Sequence, residues 1–516
     1  MNYNKIHRKE SCLQQGNNMK TKKILSMSMV MILAVLLLLS SCTASDVEYA
    51  GQMIEDIQSN GIGVLENLTL PPINTTTIVT HNEFPEITTT PSTKKPPKDT
   101  TAAQTTVIQT TPAPVVNNDN FTPTVDCPKD GVITTAEQLH AVLVNGATSA
   151  SYAVNAVELD MEGLGWQGMD NFSGTFDFGC CTIKNASYPL FRKVNGGTVK
   201  NLVIAESSYV CTNEQAISDI NPATGENTNP YYSPVVCYAK DITISNVIIE
   251  SSVSVRTDLW FEQTYHGGIV ACAEGLVKIT DCHFKGEFTT DSMYVRFGGV
   301  AGHIGGVDAS AVNAEDLQKS SVLVYNCSNS GIVKNLAFGF DSKTAGVIGS
   351  IINGVILNSA NYGEIINDDC GQSAGVVGYV GGTTYVKNCI NTAKVTGASF
   401  VGGICGYSNG NDRVFENCLN IGEVYSDNKT YGGGLLGVAR KAEKFINCFD
   451  LAQDGRSFLN HMGASTVFDE NDPTTYADLQ IVNSSTVSTV EQMLEKINAV
   501  APGVFIMSAN KLIILA

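Results

Sequence analysis

The stretch Gly406-Tyr407-Ser408-Asn409-Gly410 has the G-x-S-x-G spacing that can set a serine on a sharp strand-to-helix turn, where a histidine and a carboxylate would make it an acyl-transfer nucleophile. The same glycine slot recurs as Gly378 and Gly437, followed there by Tyr-Val and Val-Ala. What comes after Ser408 reads as another strand, so the serine is expected at the corner of a repeated unit, not in a catalytic elbow. Gly163-Leu164-Gly165-Trp166-Gln167-Gly168 fits G-x-G-x-x-G, the dinucleotide fingerprint, but the run NFSGTFDF that follows is turn and strand where a helix is required. A glycine turn holding Trp166 over the first coil is the simpler reading. The seven histidines (7, 81, 140, 266, 283, 303 and 461) include no H-E-x-x-H pair for zinc hydrolysis. Glycan cleavage would need carboxylates, or calcium ligands with a base, on adjacent coils of one face, and Asp281, Asp258 with Glu262, and Asp368-Asp369 stand apart. No catalytic residue, cofactor or metal site is therefore expected.

The residues that do repeat point to architecture. A glycine-rich strand recurs as GGIVACA, GGVAGHI, AGVIGSI, AGVVGYV, GGICGYS and GGLLGVA, beginning at positions 267, 298, 345, 374, 402 and 433. A second signature is an Asn or Asp before a small residue, at Asn201, Asn246, Asp281, Asn326, Asn358, Asn388, Asn417 and Asn447. Their spacings are 45, 35, 45, 32, 30, 29 and 30 residues, and a period settling near 30 with short β-branched runs predicts stacked coils. The fold expected is all-β, a parallel β-helix of about 30-residue coils. Glycine suits corners and close backbone approaches, while Asn tolerates a left-handed backbone and can bond to its copy in the next coil, giving a structural ladder.

Cysteine follows the ladder residue in Asp281-Cys282, Asn326-Cys327, Asn388-Cys389, Asn417-Cys418 and Asn447-Cys448. Fifteen cysteines in an exported chain suggest disulfides, and this column could suggest metal ligands. Leu202, Val247 and Ser359 occupy the same slot elsewhere, which favours a small buried position filled by free thiols. A bridge between neighbouring coils remains sterically open. Cys127, Cys211 and the pair Cys180-Cys181 fall outside this account.

Open strand edges at the ends of the stack need covers. Thr134 with Glu137, and Ser488 with Glu491, predict capping boxes for short helices near 135–144 and 489–500. Two spacings exceed the period by about 15 residues, placing insertions at Thr212–Tyr232 and at about His303–Ser320, where a recognition surface could protrude. Before the glycine strands sit Tyr231 and Tyr232, then Trp260, Phe261 and Tyr265, then Tyr294 and Phe297. Aligned rings would form a platform for a sugar or a protein, and core packing would use the same residues.

The chain ends place this domain. After Met19 comes a basic start, an apolar run from Ile24 to Leu39, and Leu39-Ser40-Ser41-Cys42, a secretory signal over residues 1–41. A Thr/Pro-rich linker follows over 42–126, too poor in large apolar residues to fold, and predicts a flexible, disordered stalk. Residues 127–200 would form the N-terminal cap and first coil, 201–450 the repeats and 451–516 the C-terminal cap. The net charge is −18 (32 Lys+Arg against 50 Asp+Glu), and residues 1–41 are basic, so the remainder is more acidic still. Such a chain should repel nucleic acid.

Two resemblances add to this. Leu39-Ser40-Ser41-Cys42 resembles the lipobox of bacterial lipoproteins, which implies diacylation of Cys42 and a lipid-held protein on the extracytoplasmic face of the cell membrane. The order helix, W…FSGTFD…TI, then LF…GTVKNL, together with GGICG and GGLLG, resembles surface domains built of GLUG repeats, over about Ile133 to Asp450. That resemblance implies β-helical regions of bacterial extracellular proteins, adhesins among them, and no catalytic residue. The expected function is a monomeric cell-surface lipoprotein whose partners are the membrane, through its lipid, and a glycan or host or matrix protein. A carbohydrate-active β-helix enzyme and a passive spacer are the alternatives.

Overall fold

The computed structural model describes residues 122–211, 217–220, 227–255, 263–337, 341–368, 371–409, 412–427, 432–439, 443–451, 459–461, 480–508 and 511–514. The expected signal sequence, Cys42 and all but the last residues of the linker lie outside these. The described residues form a parallel β-helix. One long sheet of 23 strands runs through the stack, beside a seven-stranded and an eight-stranded sheet. Strands pair in parallel from coil to coil, as in Val236–Ile249 against Val270–Phe284, where Val270 faces Val236 and Phe284 faces Ile249.

Because register repeats, like stacks on like. Val199, Ile244, Ile279, Val324, Ile356, Val386, Phe415 and Phe445 lie one above the next through the interior. All are buried. Burial of each such side chain contributes roughly 1.5–3 kcal/mol relative to exposure. The thiol slot is a second such column: Cys282, Cys327, Cys389, Cys418 and Cys448 are buried and free. Burial pushes the thiols of Cys282, Cys418 and Cys448 well up, so they behave as small apolar side chains. Cys127, Cys180, Cys181 and Cys211 are also free.

The turn just before each slot of the thiol column is set by the Asn column. All eight of its residues have φ between 50° and 57°, the left-handed region that Asn and Asp tolerate best. Asn388 Nδ2 donates to Asn358 Oδ1 at 2.9 Å, Asn417 to Asn388 at 2.9 Å and Asn447 to Asn417 at 3.2 Å. The column continues to Asn483, which donates to Asn447 at 2.9 Å, and back to Asp177, which accepts from Asn201 at 2.8 Å. Asp281 accepts from Asn326 at 2.6 Å but has no donor for Asn246, so it can begin a run but not extend the one before it.

Three residues further on lies a ladder the sequence reading missed. Asn329, Asn361, Asn391 and Asn420 each donate to the next at 2.8, 2.8, 2.8 and 2.7 Å, ending on Asp450. These side chains are buried, and each Asn also donates to the backbone carbonyl two residues on, at Gly331, Gly363, Ala393 and Gly422. Both amide hydrogens are thus used, which is what makes a buried amide tolerable. Its signal was present as N-x-x-N in four successive coils, starting at Asn326, Asn358, Asn388 and Asn417, and as N-x-x-D at Asn447.

Helix α1 (Ala136–Asn145) closes one end of the core, inserting Leu139, Val142 and Leu143 beside Trp166. Helix α2 (Val490–Asn498) and the hairpin Phe505–Ser508/Lys511–Ile514 instead cover the flank, packing on the outward column Ala360, Ile390, Leu419 and Phe449. The caps of both helices sit one residue later than predicted. Thr135 and Thr489 accept from Gln138 N and Gln492 N, while Gln138 and Gln492 reach back to the amides of Thr134 and Ser488. The glutamines, not Glu137 and Glu491, complete each box.

Candidate functional site

The glycine-rich strands build a crease. In each coil a short strand of the eight-stranded sheet ends at a small residue and a glycine, turns, and re-enters the long sheet with a second glycine three positions later. These second glycines are Gly302, Gly349, Gly378, Gly406 and Gly437, and they press on backbone across the turn. A Cβ on Gly349 would stand 2.3 Å from Phe297 N, and one on Gly302 2.7 Å from Arg296 O. The motif therefore lets two sheets meet backbone to backbone.

On either side of this crease runs a column of outward side chains. One is Tyr231, Tyr265, Arg296, Lys343 and Gln372 on the eight-stranded sheet, in register. The other is Tyr238, Cys272, His303, Ser350, Tyr379 and Tyr407 on the long sheet. The columns meet: Tyr231 and Tyr238 have ring centroids 5.4 Å apart and Tyr265 and His303 5.7 Å, while Phe400, which precedes the strand residue paired with Ser373 and so follows Gln372 in the first column, lies 5.7 Å from Tyr407. Along the axis Tyr231 stacks on Tyr265 at 5.1 Å, and Tyr379 on Tyr407 at 5.8 Å.

Between these two ring stacks lie the cations. The Arg296 guanidinium stands 5.8 Å from the Tyr265 ring centre and Lys343 Nζ 5.6 Å from that of Tyr379. Lys343, with a side chain only 5% exposed, pairs with Asp341 at 2.7 Å. His303 sits between them, bonded through Nδ1 to Ser350 Oγ at 3.1 Å. Burial, then Arg296 and Lys343, push its pKa down to about 3, so the ring is neutral at physiological pH. Tyr379 is pushed up by burial and then by Tyr407. Arg296 Nη1 and Gln372 Oε1 are buried without a protein partner. Tyr238, Arg296, Tyr379 and Phe400 remain half-exposed and give the crease its open side.

The expected aromatic platform is only partly assembled. Tyr231 and Tyr265 line the crease, whereas Tyr232 points into the core and is buried. Tyr294 is half-buried on a turn with φ 53°, just before the strand carrying Arg296. Trp260 and Phe261 lie outside the described residues, as do Asp258, Glu262 and Asp369. Of the insertions, that at 212–232 is described only over 217–220 and 227–232. The other begins at Gly306, since His303 is in a strand, and packs Val312 and Leu317 onto Leu323, Val355 and Leu357 of the long sheet. Its apolar side covers the sheet and does not form a free recognition surface.

Ser408 lies within the strand Cys405–Asn409, not at a corner, in register with Val380 and Ala439. Its side chain is fully buried and its Oγ finds no partner, so no base faces it. Trp166 is buried with its Nε1 donating to Pro189 O at 2.7 Å, and no helix follows Gly168. Among the described residues no group of three or more His, Cys, Asp or Glu is arranged to hold a metal ion.

Arg296, His303, Lys343, Tyr379 and Tyr407 escaped the sequence reading as site residues, although the repeat contains their signal. They stand two residues before the first small residue of the motif, or directly after its last glycine. No protein-family model matches this chain, nor does any curated protein sequence. Among solved structures it is similar to an IgA1 protease, at 15% identity and a TM-score of 0.34, over 65% of this chain and 22% of that one. It is similar also to a candidate immunoglobulin A1 protease from Bacteroides ovatus, at 15% identity and a TM-score of 0.32, over 74% of this chain and 91% of that one. The chain thus spans about a fifth of the first protein's length.

Proposed function

We propose that this chain is a lipoprotein, anchored through Cys42 on the outer face of a bacterial membrane, whose stalk displays a GLUG-like β-helix that binds a glycan or a host or matrix protein. The observation that carries the binding half is the crease: facing columns of tyrosines interrupted by two cations on a rigid stack, with Tyr231, Tyr265, Tyr407 and Lys343 buried and Tyr238, Arg296, Tyr379 and Phe400 half-exposed. A spacer has no use for such a stripe, and its carboxylates are engaged singly, Asp341 by Lys343 and Glu274 by the Tyr238 hydroxyl, which is unlike the carboxylate pairs of glycan-cleaving sites. The lipobox-like Leu39-Ser40-Ser41-Cys42 and the acidic charge support the location.

The test is a binding screen of residues 43–516 against glycans and matrix proteins, with Tyr265→Ala and Tyr379→Ala as crease variants. Binding that both variants weaken supports the reading; a screen in which nothing binds sinks it. Membrane retention of the whole chain, lost on Cys42→Ala, tests the anchor.

A further inference from the structure

We propose that the middle of the crease is a binding site for an anionic glycan, a carboxylated or sulfated sugar chain lying along the helix axis, with Arg296 and Lys343 as its anion-binding pair. This rests on the binding function proposed above and names its ligand class.

The placement of charge is the first reason. In a chain of net charge −18, two cations occupy directly paired positions on neighbouring coils, facing the crease. Paired positions on parallel strands stand about 4.8 Å apart, and the two side chains reach opposite ways along the axis, Arg296 toward the Tyr265 ring and Lys343 toward that of Tyr379, so one stretch of the crease holds two positive charges. Asp341 answers Lys343 but its side chain is 53% exposed, at the rim. Arg296 Nη1 is buried and finds no partner within the protein. A buried N–H left unpaired is costly, more so on a charged group, and a ligand oxyanion would remove that cost.

The flanks are the second reason. Tyr231 and Tyr265 stack on one side of the cations and Tyr379 and Tyr407 on the other, and of the rings in these stacks and beside them Tyr379 and Tyr238 are half-exposed, each offering an apolar body with a polar edge. A sugar offers the same mixture, apolar C–H faces beside hydroxyls. His303, held neutral and bonded to Ser350, adds hydrogen-bonding capacity between the cations without a third charge. The acidic remainder of the molecule disfavours a densely charged polyanion such as nucleic acid, and suits a chain with about one charge per sugar or two.

The test is titration calorimetry on residues 43–516 with polygalacturonate, κ-carrageenan, dextran and polyglutamate, at low and high salt. Variants are Arg296→Gln, Lys343→Gln and, as a control away from the crease, Lys184→Gln, whose lysine pairs with Glu158 and Glu206. Melting curves confirm that each variant is folded. The expected result is salt-sensitive binding of polygalacturonate or κ-carrageenan, the first carrying only carboxylates and the second only sulfates, with no binding of dextran. Arg296→Gln and Lys343→Gln should each weaken it about tenfold or more, and Lys184→Gln should not. Binding of dextran alone, equal binding of polyglutamate, or anionic binding indifferent to Arg296→Gln and Lys343→Gln would overturn this inference and leave the general binding function standing. If the protein binds none of these and no matrix protein either, both fall.

Discussion

Arg413 and Glu443 face each other on adjacent coils at 2.7 Å, with both side chains fully buried. Nothing in the pattern of Gly, Asn and aliphatic residues announces them, since each is a single occurrence in a column that also holds Ile242, Val277, Val322, Gly354 and Thr384. Removing one partner leaves a buried charge uncompensated. Glu443→Gln or Arg413→Met is therefore expected to lower unfolding free energy by about 3–5 kcal/mol, whereas Arg413→Met with Glu443→Leu together should restore most of it. Urea denaturation of the three variants decides this; additive losses would show that the pair itself is not what matters. Two histidines give a pH dependence at the same scale. His303 faces Arg296 and Lys343, and His266 is enclosed by Phe288, Phe297 and Thr290, both with pKa pushed down to about 3, first by burial. Their folded-state pKa lies below the unfolded value of about 6.5, so the unfolded chain takes up protons first and stability is lost as pH falls below that value. Between pH 7 and 5 each should contribute a loss of about 2 kcal/mol. His283, lowered in the same direction by burial and Lys285, adds to the trend. The variant His303→Asn should show a visibly shallower decline in denaturation curves at the two pH values; an unchanged slope would mean that the ring is not held neutral.

At the scale of the element, the glycine-rich strand is the unit that carries both fold and site. Its repetition made the parallel coils, the Asn turns and the thiol column readable, because each needs one residue type at one phase of the period. The crease was harder to read. Its lining changes from Tyr to Arg, Lys and Gln on one side and from Cys to His, Ser and Tyr on the other, so a search for repeated identity passes over it. What makes those residues neighbours is contact between two sheets, and only the fourth-position glycine hints at that. The helix caps show the same limit at smaller size: Thr134 or Thr135 could cap α1, and only geometry selects Thr135 with Gln138. The glycine column yields a direct test. A methyl on Gly349 would meet the Phe297 amide nitrogen and the Gly302 carbonyl oxygen, backbone atoms that cannot swing aside. Gly349→Ala should cost about 1–3 kcal/mol or more, and Gly349→Val more again. Ala271 fills the equivalent slot in an earlier coil, so Ala271→Gly should cost less than about 1 kcal/mol, the ordinary price of a strand glycine. Thermal melts of the three variants provide the comparison, and a Gly349→Ala protein as stable as the parent would remove close packing as the reason for the motif.

At the scale of the molecule, stability should be a sum over coils and the interfaces between them, because each coil touches mainly its neighbours. The flank-covering α2 and hairpin complicate this, since they span the outward column Ala360, Ile390, Leu419 and Phe449 and tie four coils together. An in-frame deletion separates the two effects. Removing Asn358–Lys387 joins Leu357 to Asn388, and register then sets Ile348 over Cys405, Ile356 over Phe415 and Asn329 over Asn391. Every inward position still meets an inward one, both Asn ladders close, and Arg413 keeps Glu443. In the crease Tyr407 takes the place of Tyr379 below Lys343, so the cation pair keeps an aromatic neighbour. The shortened protein should fold cooperatively with unchanged β-sheet circular dichroism, melt lower, and retain ligand binding. Deleting only Asn358–Gln372, half a coil, sends outward residues inward and strands the ladder, and should leave an unfolded or aggregated chain. If the half-coil deletion folds as well as the full one, the coil is not the unit of this structure, and the flank cover, not the stacking, holds it together.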